Sequence, residues 1–187
     1  FAGHRSITEP AVLKQVILRE LENFAADLNG EVVGLSSAAS GADLLFLEAC
    51  AEVGLRTVVI LPFERDRFSE DFEDPEEWKR ATALMDAALW CEVAAGNEVA
   101  PAAYHLVSRQ ILEVADRMLF VWNGQPARGL GGTGETVAEA AKLEVPARII
   151  NAISMEVSWQ AGAPPQQTPC ESFDDLPAAR SVRGLFR

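Results

Sequence analysis

The chain has 187 residues, enough for one ordinary domain with a sizeable core, and its 49% hydrophobic and 24% charged residues mark a globular protein rather than a disordered one. A formal net charge of −12 argues against nucleic-acid binding, because that affinity comes mainly from lysine and arginine neutralising phosphates. The apolar runs are too short to span a bilayer, so no membrane contact is expected. Cys50, Cys91 and Cys170 stand far apart without metal-ligand spacing, and His4 and His105 add too little for a zinc site, so no metal and a reducing, cytoplasmic setting are expected.

In chain order, "FAGHRS" opens on a glycine turn that demands a strand before it, of which only two residues are present. Most of that strand is therefore expected to lie in a longer protein. Val12, Val16, Ile17, Leu21 and Phe24 recur at helical spacing, with Gly30 as the stop. "EVVGLSS" reads as a buried strand, "GADLLFLEACAEVG" as a helix and "RTVVILPF" as the next strand. This order with short connections predicts a parallel sheet with right-handed crossovers.

"ERDRFSEDFEDPEEW" is acidic and broken by proline, which predicts an excursion over the surface. "PEEWKRATALMDAALW" and "AAYHLVSRQILEVA" read as helices, with "WCEVAAG" between them as strand or loop. "DRMLFVWNG" is a strand, "TGETVAEAAKLE" a helix and "VPARIINAI" a final strand. The expected fold class is therefore α/β, an open, mainly parallel sheet with helices on both faces. Its domain covers residues 1–153, and a proline-rich linker or irregular tail covers 154–187.

Ligands of such a sheet bind beyond the carboxyl ends of the strands. The residues expected there are Gly3, His4 and Arg5; Ser36, Ser37, Ser40, Gly41 and Asp43; Arg65; Trp122 and Asn123; and Gly131, Gly132, Thr133, Gly134 and Glu135. Ser40 and Gly41 precede one helix and the glycine cluster precedes another, and unpaired amides at such starts favour a phosphate. Arg5 supplies a guanidinium for bidentate contact, and Trp122 a ring on which a base can stack. Each has a plainer meaning: an N-cap at Ser40, tight turns at the glycines, a core tryptophan. Arg67, Arg128, Tyr104 and Arg109 are secondary candidates. The cluster "GLGGTGET" is neither a Walker A loop nor the first-strand dinucleotide fingerprint.

Taken in order, "GHR", "SSAASGAD", "VVILPFERDRF" and "DRMLFVWNGQPARGLGGTGETV" resemble the SLOG superfamily over residues 1–153. The resemblance implies a Rossmann-like domain that binds a nucleotide or nucleotide-derived ligand, without a further cofactor. Superfamily members include cytokinin-activating phosphoribohydrolases, whose Pro-Gly-Gly-x-Gly-Thr-x-x-Glu loop ends in a catalytic glutamate. Matching their glycine-threonine to Gly132 and Thr133 puts Thr136 in the glutamate's place, and the other register puts Ala138 there. Glu135, Glu139 and Arg128 are the remaining candidates for hydrolytic chemistry. Other members are sensor modules joined to effectors in bacterial signalling or antiphage systems, and many form homo-oligomers. The expected function is thus ligand sensing, with a nucleotide phosphoribohydrolase as the alternative.

Overall fold

A computed structural model describes residues 1–27, 31–94, 100–127 and 130–160. Gly30, Arg128, Cys170 and the tail over 161–187 lie outside the described residues. The described chain is an α/β domain. Its strands are β1 (Ala2–Gly3), β2 (Val33–Ser36), β3 (Arg56–Leu61), β4 (Trp90–Val93), β5 (Met118–Trp122), β6 (Ala147–Asn151) and β7 (Val157–Trp159). Its helices are α1 (Pro10–Asp27), α2 (Ala42–Glu52), α3 (Arg65–Ser69), α4 (Pro75–Ala87), α5 (Ala102–Val114) and α6 (Thr133–Lys142).

The strands form two hydrogen-bonded groups, β2-β3-β4 and β1-β5-β6-β7, parallel throughout except for β7, which runs antiparallel to β6. The groups meet where the backbone nitrogen of Phe1 donates to the Leu35 carbonyl at 2.8 Å. Across this seam the order is 4-3-2-1-5-6-7. The chain therefore reverses its direction of travel between β1 and β5, and the carboxyl ends of these strands flank a crevice, as in doubly wound, Rossmann-like sheets.

The apolar runs of β3 and β5 are continuous because both sheet faces are covered. Val59, Leu61, Leu119 and Val121 face a core built with α1, α2 and α4. Their neighbours Val58, Ile60, Met118 and Phe120 face a second core built with α5 and α6. Successive side chains thus enter opposite layers.

Two elements differ from the sequence-based expectation. The acidic excursion contains α3, whose Phe68 is fully buried and stacks edge-on against Phe72 and Trp78. Three aromatics anchor what its charge density presents as a surface loop. The sheet also continues past residue 153 into β7, whose Trp159 covers the Arg148 guanidinium at 4.5 Å. Among the described residues no helix is long and apolar enough to cross a membrane.

Arg148 on β6 pairs with Glu20 on α1, whose side chain is only 6% exposed, beneath the rings of Phe24 and Trp159. Removing one partner of such a pair strands the other charge in a dry site. Arg148→Met is expected to lower unfolding free energy by about 3 kcal/mol in urea titration. A loss within error of zero would show that Glu20 finds water or another partner.

Candidate functional site

The turn that follows β1 packs directly on the start of α2. Gly41 has φ +89°, and a Cβ there would lie 2.1 Å from the Arg5 carbonyl oxygen. A Cβ on Gly3 would lie 2.5 Å from that of Ala42. The Ala42 amide donates to the His4 carbonyl at 3.0 Å, and His4 in turn bridges to β5, its Nε2 accepting from the Asn123 amide at 3.1 Å. Gly3, His4 and Gly41 therefore join β1, α2 and the end of β5, and the chain needs glycine there for close backbone approach.

Beside this junction lies a cleft of about 260 Å³. Its polar wall combines Arg5, Ser37 and Asp43 with Gly132, Thr133 and Thr136, while Phe1, Val107, Ile111 and Met118 supply apolar surface. Gly3 and Gly131 also border it. Residues from three of the expected strand-end segments, 3–5, 36–43 and the glycine cluster at 129–134, thus share one cavity, joined by Thr136 and with α5 as its far side.

The two helix starts differ. At α2 the anion position is already filled from within the protein: Glu77 of α4 accepts from the Gly41 amide at 3.1 Å and from the Ser40 hydroxyl at 2.8 Å. Neither Ser40 nor Gly41 borders the cleft. The hydroxyls of Ser36 and Ser37 donate to Asp43 Oδ2 at 3.0 and 2.7 Å, so they too carry internal bonds rather than standing open. Burial raises the Asp43 pKa, and the serine hydrogen bonds together with the Phe1 α-ammonium only partly offset it.

At α6 the Glu135 carboxylate folds back onto the Gly131 amide at 2.5 Å and approaches His105 Nδ1 at 3.5 Å. This contact tightens the turn, in which Gly131 has φ +79° and packs on the start of α5. The amides of Gly132 and Thr133 make no hydrogen bond to another described residue, and they border the cleft. They are the helix-start donors that remain available to an anion.

Arg5 is held at the cleft mouth by groups that sequence reasoning ranked low or missed. Its guanidinium lies 4.8 Å from the centre of the Tyr104 ring and 3.9 Å from Asp71, to which the Tyr104 hydroxyl donates. Arg67 also donates to Asp71, at 2.9 Å. Asp71 had no readable signal within "SEDFED", since its partner Tyr104 is 33 residues away. Glu77 is as distant from Ser40.

Other expected residues fall elsewhere. Arg65 pairs with Asp86 at 2.7 Å in a separate hollow beyond β3 and β4. The Trp122 indole donates to the Gln125 carbonyl at 2.8 Å, and Asn123 Oδ1 accepts from the Gln125 amide at 3.0 Å, so both organise the loop after β5 and neither borders the cleft. Gly134 is required by that same loop, since a Cβ there would meet the Ala127 nitrogen at 2.9 Å. Glu139 faces Arg109 at 3.6 Å, and neither Glu135 nor Glu139 lines the cleft. Thr136 does, with its hydroxyl turned to the Gly132 carbonyl at 3.4 Å. No group of three or more His, Cys, Asp or Glu among the described residues could hold a metal ion.

Burial pushes the Asp71 carboxyl up, but the Tyr104 hydroxyl together with Arg67 and Arg5 outweighs it and holds the group below its ordinary value. A carboxyl depressed in the folded state stabilises the fold above its unfolded pKa, and that contribution is lost as pH falls through the folded value. The difference in urea midpoint between wild type and Asp71→Asn is therefore expected to shrink as pH is lowered from about 6 to about 3. A difference independent of pH would show that the carboxylate charge is not what holds this cluster. Comparison of the chain with protein-family models and with curated proteins found no match.

Proposed function

We propose that this domain binds a nucleotide-derived ligand in the cleft beside β1 and α6 and acts as a sensor for it, passing occupancy to a fused or associated effector. The observation that carries this reading is one cavity bordered by a fixed guanidinium, Arg5, and by the amides of Gly132 and Thr133, which make no hydrogen bond among the described residues. Cation and amides are the groups that hold a phosphate, and the apolar wall of Phe1, Val107, Ile111 and Met118 suits the face of a base or sugar.

Hydrolysis of a nucleotide is the less favoured reading. It asks for a carboxylate near the glycosidic bond, and Glu135 and Glu139 are engaged outside the cleft, with Gly131 and His105 in one case and Arg109 in the other. Thr136, aligned by resemblance with the phosphoribohydrolase glutamate, has a hydroxyl that is a poor general base.

Calorimetry of the folded chain against AMP, ADP, ADP-ribose and cyclic nucleotides tests the proposal. At least one is expected to bind, and Arg5→Ala to weaken that binding roughly 10- to 100-fold, the range for a hydrogen bond to a charged group. A folded protein that binds none of them, or an Arg5→Ala variant that binds as wild type does, would remove this reading. Mass measurement with and without the bound nucleotide then separates ligand-driven assembly from a constitutive oligomer.

A further inference from the structure

Asp43 is a buried carboxyl group that the fold does not obviously require. It is 4% exposed, yet it borders the cleft together with Ser37, and the cation that acts on it is the Phe1 α-ammonium, whose own pKa burial lowers to about 6. Its place in the first turn of α2 does not explain it, because Glu77 already satisfies the Gly41 amide and the His4 carbonyl satisfies that of Ala42. Burying a carboxylate carries a large desolvation cost, which the Phe1 ammonium and the neighbouring hydrogen bonds offset only in part.

What surrounds Asp43 are hydrogen-bond donors. Ser36 and Ser37 both donate to Oδ2, and the Ser36 oxygen in turn accepts from the Ala38 amide at 3.3 Å. Ala38 is fully buried with φ +54°, so a non-glycine residue is held in a left-handed conformation to complete this chain of bonds. The network fixes the orientation of the carboxylate. An ionised carboxylate has about four acceptor positions, so the two serine hydroxyls and the Ser37 amide leave capacity for a further donor from the cleft.

In its ionised form Asp43 also opposes an anion. A phosphate seated beside Asp43 would meet a like charge at reduced dielectric, whereas Arg5 and the start of α6 attract one. The cleft is therefore polarised, with an anion-accepting end at Arg5, Gly132 and Thr133 and a donor-seeking end at Asp43. A nucleotide with an unmodified ribose offers both features, a phosphate and a vicinal diol whose hydroxyls donate.

We infer that Asp43 is a specificity-determining residue that accepts hydrogen bonds from the ribose hydroxyls of the bound nucleotide, so that the cleft selects ribonucleotides over analogues lacking those hydroxyls. This rests on the ligand-binding reading above and adds the chemical identity of the second contact. A site built around a hydroxyl rejects the analogue without it because the buried polar group is left unpaired.

The test is calorimetry of the full chain with AMP, 2′,3′-dideoxy-AMP and inorganic phosphate, for wild type and Asp43→Asn. Asparagine keeps the shape and an oxygen for the serine hydroxyls, and circular dichroism checks that the variant folds. Wild type is expected to bind AMP at least about tenfold more tightly than the dideoxy analogue. In Asp43→Asn that preference is expected to fall to less than about threefold, while phosphate affinity stays as in wild type or rises. Equal binding of AMP and its dideoxy analogue by wild type overturns the inference, and needs no variant. A preference undiminished in Asp43→Asn, or a phosphate affinity lost in parallel with that for AMP, overturns it while leaving ligand binding intact. Failure of the folded wild type to bind AMP removes this inference, and its premise falls with it only if ADP, ADP-ribose and the cyclic nucleotides fail to bind as well.

Discussion

Backbone contact between the turn after β1 and the first turn of α2 places nearly everything else in the cleft. With Gly41 against the Arg5 carbonyl and Gly3 against Ala42, there is no room for a side chain at either position. The contact brings Arg5 out at the sheet edge and sets Asp43 below it, on a helix that could not otherwise start so close to β1. The His4 bridge to Asn123 extends the junction across the point where the sheet order reverses. Crevices at such reversals arise because the connections leave the two central strands in opposite directions.

Charge in this protein is organised by mutual satisfaction. The net charge of −12 would disfavour any anion approaching the surface, yet the carboxylates closest to the site are engaged. Asp71 holds Arg5 and Arg67 and accepts from Tyr104. Glu77 occupies the start of α2, and Glu135 closes the turn at Gly131. Among the described residues the cleft keeps the Arg5 guanidinium, the helix-start amides of Gly132 and Thr133, and the buried Asp43 carboxyl with the Phe1 ammonium near it. The internal anion at α2 means that two similar glycine-containing helix starts have different roles: one is completed by the protein, the other is open.

Much of the fold is legible along the chain because each strand and helix carries its own periodicity. "TVVIL" and "MLFVW" are continuous apolar runs, as a sheet covered on both faces demands, and α1 presents Leu13, Ile17, Leu21 and Phe24 at helical spacing. The segment around α3 is not legible in this way. Phe68 and Phe72 sit among the eight acidic residues from Glu64 to Glu77, with Trp78 directly after them, so local composition reports solvent while the aromatic side chains report a core. The site was partly readable for a geometric reason: residues at the carboxyl ends of parallel strands converge on one edge, which assembles Arg5, Ser37, Asp43, Gly132 and Thr133. Arg65 and Trp122 also sit at strand ends, but at different lateral positions or turned toward their own loops.

The sequence by itself determined the α/β class, the parallel run of strands, and the small residues at 3, 41 and 131–134 that let backbones approach. These follow from periodicity and from the conformational freedom of glycine, both local properties. Only the tertiary structure decided which of those turns faces a cavity and which is filled by the protein itself. Glu77 reaches Ser40 across 37 residues and Asp71 meets Tyr104 across 33, and hydrogen bonds of that range depend on where α3, α4 and α5 dock, which no local pattern encodes.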